Sequence, residues 1–410
     1  MSLSGHGPVS LSGRGPVSPA VVGSQPDPWL VDVLADAAEV AGRSGPALEL
    51  ARRIGPRSPL PGAGETRSRW ELLAGLSAVD LTAGRVAEAH LDALAILAEA
   101  AGVGETGAVP DLTAVGAGAD STWGVFAAEG PGVAVTAQTA DPPAGAASRM
   151  MTADPPAGAA SGMMTADPPA GAASGMESSN PPDAGWMLSG VKPWCSLADR
   201  LDHALITAHV PDGRRLFAIA LRQGTVTVAT DSWVSRGLAD VPSGPITLTD
   251  APAVPVGATG WYLQRPGFAW GGLGVAACWY GGAVGLARDL HRRLRRRECD
   301  QIGRMHLGAV DTALVRARAV LALAAAEIDA GRADGSDGVR WAARVREVVA
   351  GAAEEILLRA GHALGPAPLA LDEEYARRVA DLTVYLRQHH AERDQAALGS
   401  SILDQDQPPW

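Results

Sequence analysis

Residues 266–287 carry no charged side chain over 22 positions, and the run is bounded by Arg265 and Arg288. That length is enough to cross a bilayer. Seven of the residues are glycine, however, and a charge-rich helical pattern follows directly. The stretch therefore reads as a helix buried inside a large helical core. Its surroundings agree. The segments 29–41 and 84–102 place apolar residues at i, i+3, i+4 and i+7, the period of an amphipathic helix. Pro56, Pro59, Pro61 and Gly62 to Gly64 divide this amino-terminal region into at least two helices. Beyond the uncharged run, 307–331, 345–365 and 373–403 again have helical periodicity, the last predicted as one continuous helix.

The pattern between these helical regions is different. Residues 122–138, 203–210, 215–223, 224–233 and 245–256 alternate or run β-branched, with turn residues between them. The chain thus predicts an α+β class in the order α, β, α. Its parts are a tail at 1–25, a helical domain at 26–118, a β domain at 119–258 and a helical domain at 259–410. The tail is rich in Ser, Gly and Pro, repeats LSGHGPVS as LSGRGPVS, and has no apolar segment of a secretory signal. Within the β domain, TADPPAGAAS recurs every 13 residues over 139–176. Those copies have Met as their only large apolar residue, so they predict a disordered, duplicated loop.

Composition removes several functions. The net charge of −11 argues against a nucleic-acid partner, because phosphate neutralisation needs a basic surface. Three cysteines, Cys195, Cys278 and Cys299, are too few for a disulfide framework or a thiolate zinc site, and a reducing cytoplasm suits them. Lys192 is the sole lysine, so no Gly-Lys-Ser/Thr phosphate loop exists. There is no Gly-x-Ser-x-Gly and no His-Glu-x-x-His. Gly272-x-Gly274-x-x-Ala277 matches a dinucleotide fingerprint in letters, but no strand pattern precedes it, so its glycines are read as close helix contacts. The run His291 to Arg297 is either a phosphate site or a solvated helix face. His389, His390 and Asp394 lie at spacings that can tune an imidazole as a base.

The motif Gly185-Trp186-x-Leu188-x-Gly190-x-Lys192-x-Trp194-x-Ser196, within this α, β, α order, resembles the acyl-CoA dehydrogenase family. Ala127 to Gly132 is similar to that family's Thr-Glu-Pro-Gly-x-Gly turn, with Ala128 in the Thr position. The likeness extends over most of the chain from about Trp29. It implies a middle β-barrel or sandwich and a carboxy-terminal four-helix bundle. It implies FAD, with Trp194, Ser196, Glu129 and Gly130 near the flavin. It also implies a soluble homodimer or homotetramer acting on an acyl thioester such as acyl-CoA, or on a related small molecule. The family's Arg-x-x-Phe-Gly segment is missing, and Arg296 of the Arg-rich run is the candidate substitute at the cofactor diphosphate. The position of the usual catalytic Glu falls on His389, and no Asp or Glu lies between Asp250 and Asp289 to serve as the alternative base. His389 is therefore the candidate catalytic base. The same departures suit a flavin monooxygenase on this fold, or a relative that only binds a ligand or a partner. The sequence names no electron acceptor and no metal.

Overall fold

The structure, a computed structural model, describes residues 27–102, 110–140, 185–296, 298–407 and 409–410. The amino-terminal tail lies outside the described residues, and so do the 13-residue repeats from 141 onward. Thr139 itself ends a strand.

Among the described residues four α-helices come first: α1 (Pro28–Glu39), α2 (Ser44–Ile54), α3 (Thr66–Val79) and α4 (Leu81–Gly102). Asp27 caps α1 by accepting Trp29 N at 2.9 Å, with Pro28 in the first turn, where a missing N–H costs nothing. The gap between α2 and α3 holds Pro56, Pro59 and Pro61, which cannot donate to a helix ladder. Asp80 starts α4, its carboxylate accepting Ala83 N at 3.1 Å.

Seven strands follow among the described residues: β1 (Trp123–Phe126), β2 (Val135–Thr139), β3 (Trp186–Lys192), β4 (His203–Val210), β5 (Gly213–Ala220), β6 (Val226–Val228) and β7 (Ile246–Val256). Five of them close on themselves. β4 pairs β5, β5 pairs β7, β7 pairs β3, β3 pairs β2, and β2 returns to β4. The sheet is thus a barrel, with β1 continuing the β4 edge in parallel and β6 added to β7. Closure removes most of the exposed edge. A bulge interrupts β3 between Leu188 and Gly190. Gly190 has φ +126°, and a Cβ there would lie 2.1 Å from the Ala134 carbonyl oxygen, so only glycine fits. The strand expected over 224–233 is restricted to Val226–Val228. The chain turns at Thr230–Ser232 because the Trp233 indole folds back and donates to the Leu238 carbonyl at 3.1 Å.

The carboxy-terminal region contains α5 (Trp261–Gln264), α6 (Pro266–Arg295), α7 (Gln301–Asp329), α8 (Gly335–Leu364), α9 (Ala367–Leu371), α10 (Glu373–Tyr385) and α11 (Glu392–Leu403). The uncharged run forms most of α6, and every residue from Gly272 to Ala287 is buried. α6 packs on α3, α4, α7, α8 and α10, which makes it the axis of the bundle. A Cβ on Gly281 would stand 2.2 Å from the Ala74 carbonyl oxygen, so α3 and α6 approach backbone to backbone. The Gly272–Ala277 motif lies within α6, behind the short α5 rather than a strand, and its glycines serve helix packing. Among the described residues no helix is long and apolar enough to cross a membrane.

The single helix predicted over 373–403 is in fact broken. α10 tightens into a 3-10 turn at Leu386–Gln388, and Ala391 takes φ +49° before α11 begins. The Asp394 carboxylate, in the first turn of α11, accepts His390 N at 3.1 Å and contacts His390 Nδ1 at 3.2 Å, which ties the new helix start to the residue ahead of it. This break presents the segment around Gln388 to the rest of the molecule.

Candidate functional site

A cleft of about 100 Å³ opens where α4, the end of β1, the α5–α6 junction and α8 meet. Its chemistry comes from charged side chains. α4 presents Arg85, Glu88 and Asp92 to it, one helical stripe at spacings of three and four residues. The turn after β1 adds Glu129, β5 adds Arg214, the start of α6 adds Arg265, and α8 adds Arg346.

Most of these charges are paired. Arg85 Nη1 donates to Glu88 Oε2 at 2.6 Å, and Tyr385 Oη donates to the same oxygen at 3.2 Å. Burial raises the Glu88 carboxyl above the ordinary glutamate value, and the Arg85 guanidinium offsets this only in part. Burial would raise Glu129 too, but there the Lys192 ammonium and the Arg214 guanidinium win and hold the carboxyl below its usual value. Lys192 Nζ lies 2.9 Å from Glu129 Oε1, and Arg214 Nη2 lies 3.0 Å from the same atom. The sole lysine is fully buried and also donates to Thr207 Oγ1 at 2.9 Å, so it serves as a structural counter-ion. Arg265 pairs with Glu99 at 2.6 Å. Arg346 donates to two carbonyls, Gly272 at 3.0 Å and Gln388 at 2.8 Å, with its guanidinium 4.7 Å from the Trp279 ring centroid. It thereby pins the broken segment of the carboxy-terminal helix to α6.

The residues singled out in the sequence fall in three places. Glu129 lines the cleft, and Gly130 follows it in a tight turn bridged to Val133. Ser196 joins through Arg85, whose Nη2 donates to Ser196 Oγ at 3.1 Å. Trp194 stands beside this point with 49% of its surface exposed and φ +59°, and Leu197 has φ +59° as well. Such left-handed backbone in bulky residues is strained and survives only where the surroundings impose it. Here Cys195 N and Leu197 N donate to the carbonyls of Gly244 and Pro242, at 3.0 and 2.7 Å. His389 sits one residue behind the cleft-lining Gln388, buried against Trp279 at 6.1 Å between ring centroids. Its Nε2 lies 3.3 Å from Glu347 Oε2 but without hydrogen-bond geometry. Burial depresses the imidazole below the ordinary histidine value despite the nearby Asp394 carboxylate, which favours the neutral ring. Arg296 does not come near. It is exposed at the far end of α6, 24 residues from Gly272, about 36 Å along the helix. Its neighbours Arg292 and Arg293 are held by Asp289 and Asp372.

Arg85, Glu88, Asp92, Arg265 and Arg346 did not stand out in the sequence. The only signal was a charged stripe at 85, 88, 92 and 99 on an otherwise apolar helix, a pattern shared by any solvated face. Among the described residues no three His, Cys, Asp or Glu side chains gather as a metal site.

No protein-family model matches the sequence, and no curated protein does. Solved structures match over nearly the whole length. KijD3 in complex with FMN and a dTDP-3-amino-4-keto sugar is 18% identical, with a TM-score of 0.64 over 91% of this chain and 90% of its own. The dibenzothiophene monooxygenase TdsC from Paenibacillus sp. A11-2 is 15% identical, with a TM-score of 0.63 over 93% and 98%. The Tcur3481-Tcur3483 steroid ACAD, an acyl-CoA dehydrogenase, is 15% identical, with a TM-score of 0.61 over 92% and 98%. The likeness covers nine-tenths or more of this chain at TM-scores above 0.6, and on that ground this chain has the acyl-CoA dehydrogenase fold.

Proposed function

We propose that the chain is a flavin-dependent oxidoreductase that oxygenates a small polar molecule bound in the cleft. The observation that carries this reading is the charge of the lining. An acyl chain entering between Arg85, Glu88, Asp92, Arg265 and Arg346 would strip water from ionised groups and return no hydrogen bond. A polar substrate would replace that water. The absence of any carboxylate between Asp250 and Asp289 also leaves the cleft-lining start of α6 without a base to face a thioester. Two proteins of the same fold support the direction: the KijD3 structure holds FMN with a sugar nucleotide, and TdsC is a monooxygenase.

The residues present suit a flavin. Trp194 offers an exposed indole face on a rigid, strained turn, and Ser196 beside it is tied to the cleft through Arg85. Trp279 Nε1, Gln388 Oε1 and His389 Nε2 are buried without a hydrogen-bond partner among the described residues, and Gln388 lines the cleft, leaving an acceptor there for a bound group. Glu129 and Gly130 would flank the ring. We assign FAD as the cofactor, with FMN the alternative; Arg296 would reach its diphosphate only from a second copy of the chain. A bound reduced flavin would supply the electrons for oxygen activation. His389, kept neutral by burial, would take up or return the substrate proton through the Gln388 segment, and Arg346 would hold that segment in place. A homodimer or homotetramer is part of the proposal, because α7 and α8 expose Ile302, Met305, Val315, Leu323 and Leu358.

The absorption spectrum of the purified protein is the first test. Flavin bands, with oxygen uptake by the reduced protein and no bleaching by acyl-CoA, support the oxygenase. Bleaching by acyl-CoA selects the dehydrogenase, the second reading, with His389 taking the α-proton. A colourless protein that ignores added FAD and FMN overturns both.

A further inference from the structure

Asp92 is the one carboxylate of the cleft lining that makes no hydrogen bond and no ion pair with the described residues. Glu88 is held by Arg85 and Tyr385, and Glu129 by Lys192 and Arg214. The four cleft arginines are committed too: Arg85 to Glu88, Arg214 to Glu129, Arg265 to Glu99, Arg346 to two carbonyls. Arg69, Arg85 and Arg265 act on Asp92 through space only. Across the cleft stands Gly271, where a Cβ would lie 2.9 Å from Asp92 Oδ1, so glycine at that position leaves the carboxylate uncovered. Asp92 is half-buried in the cleft wall, so a donor group entering there replaces solvent at its carboxylate. Three guanidinium groups stand near, and among the described residues none donates to Asp92.

We propose that Asp92 is the specificity-determining residue of the cleft, accepting a hydrogen bond from an amine or hydroxyl at the end of the substrate that enters it. This deepens the oxygenase reading and rests on it for the word substrate. The site therefore selects small molecules with an N–H or O–H head group over hydrocarbons of the same shape. The cavity is smaller than the roughly 150 Å³ that holds a benzene ring, so the enclosed head group has about five heavy atoms in all, with the remainder toward solvent. Burial raises the Asp92 carboxyl above the ordinary aspartate value, which makes the ionised form a stronger acceptor.

Three probes of one shape test this on the full chain as purified: cyclopentylamine, cyclopentanol and methylcyclopentane, titrated by calorimetry and ligand-observed NMR. The wild type is expected to bind the first two at least tenfold more tightly than the third. Asp92→Leu, branched at the same carbon but larger and apolar, should reverse that order. Gly271→Ala, which crowds the carboxylate, should weaken the two polar probes at least fivefold with the charge intact. Should Asp92→Leu fold poorly, Asp92→Asn decides: it should keep cyclopentanol within about threefold and lose the preference for the amine. An unchanged order in a folded Asp92 variant, or a wild type that prefers the hydrocarbon, overturns the proposal. Flavin content, read separately, keeps the two readings apart. A flavin-free protein whose probe order still depends on Asp92 sinks the oxygenase and leaves the site. A flavin-bearing protein indifferent to Asp92 does the reverse.

Discussion

Individual buried ionisable groups join the regions of this chain. His90 on α4 accepts the backbone N–H of Trp123 on β1 through Nδ1, at 3.2 Å. Burial lowers its pKa from 6.5 to about 4. The folded value is depressed, so the stability it confers is present above pH 6.5 and is lost as pH falls through 4. The full loss is about 3 kcal/mol, at 1.36 kcal/mol per unit. Urea unfolding at pH 7.5 and pH 4.5 should show part of that loss, and His90→Gln should flatten the pH dependence. Little of this was legible in the sequence. Glu129, Ser196 and Trp194 became candidates because a motif marked them, and His389 by counting from Asp381 and Tyr385. Asp92 was not found, because a charged residue on an amphipathic helix has the same local pattern whether it meets solvent or a cleft.

At the element scale, α6 depends on its glycines and α10 on its buried acids. Gly281→Ala would set a Cβ 2.2 Å from the Ala74 carbonyl and push α3 from α6. Overpacking of this kind costs typically about 1–3 kcal/mol, and here backbone has to move, so the upper end is expected in thermal or chemical unfolding. Asp381 on α10 accepts Leu238 N at 2.6 Å and so joins the loop before β7 to the bundle. Burial raises its pKa from 3.8 to about 6. With the folded value raised, its favourable contribution is complete below pH 3.8 and lost as pH rises through 6. Asp381→Asn keeps an acceptor for Leu238 and removes the charge. It should therefore stabilise the protein at pH 8, by on the order of 2 kcal/mol, with little effect at pH 4. The existence of α6, α7 and α8 was legible because their periodicity runs for many turns. The break at 386–391 was not, because Ala391 takes its left-handed conformation without any glycine or proline to announce it.

At the scale of the whole molecule, α7 and α8 run side by side, with His306 and His362 rings 5.9 Å apart and Arg359 reaching Met305 Sδ. Beside that contact Ile302, Met305 and Leu358 stay exposed. Apolar patches of this kind favour association. Light scattering after gel filtration should give a dimer or tetramer, and Met305→Glu with Leu358→Glu should shift the mass toward one chain while flavin absorbance is retained. An unmodified chain that elutes as a monomer would remove the oligomer from the proposal.

The α, β, α order, the buried character of 266–287 and the strand pattern over 203–223 were set by the sequence itself. Hydrophobic period is a local property that reports directly which face of a segment meets a core. Barrel closure, the break before α11 and the charged cleft were decided only by the tertiary structure. Asp92, Glu129, Arg265, Arg346 and Gln388 are brought together across some three hundred residues of chain. Whether each is solvated or buried beside a partner depends on packing between distant elements, and no window of neighbouring residues contains that information.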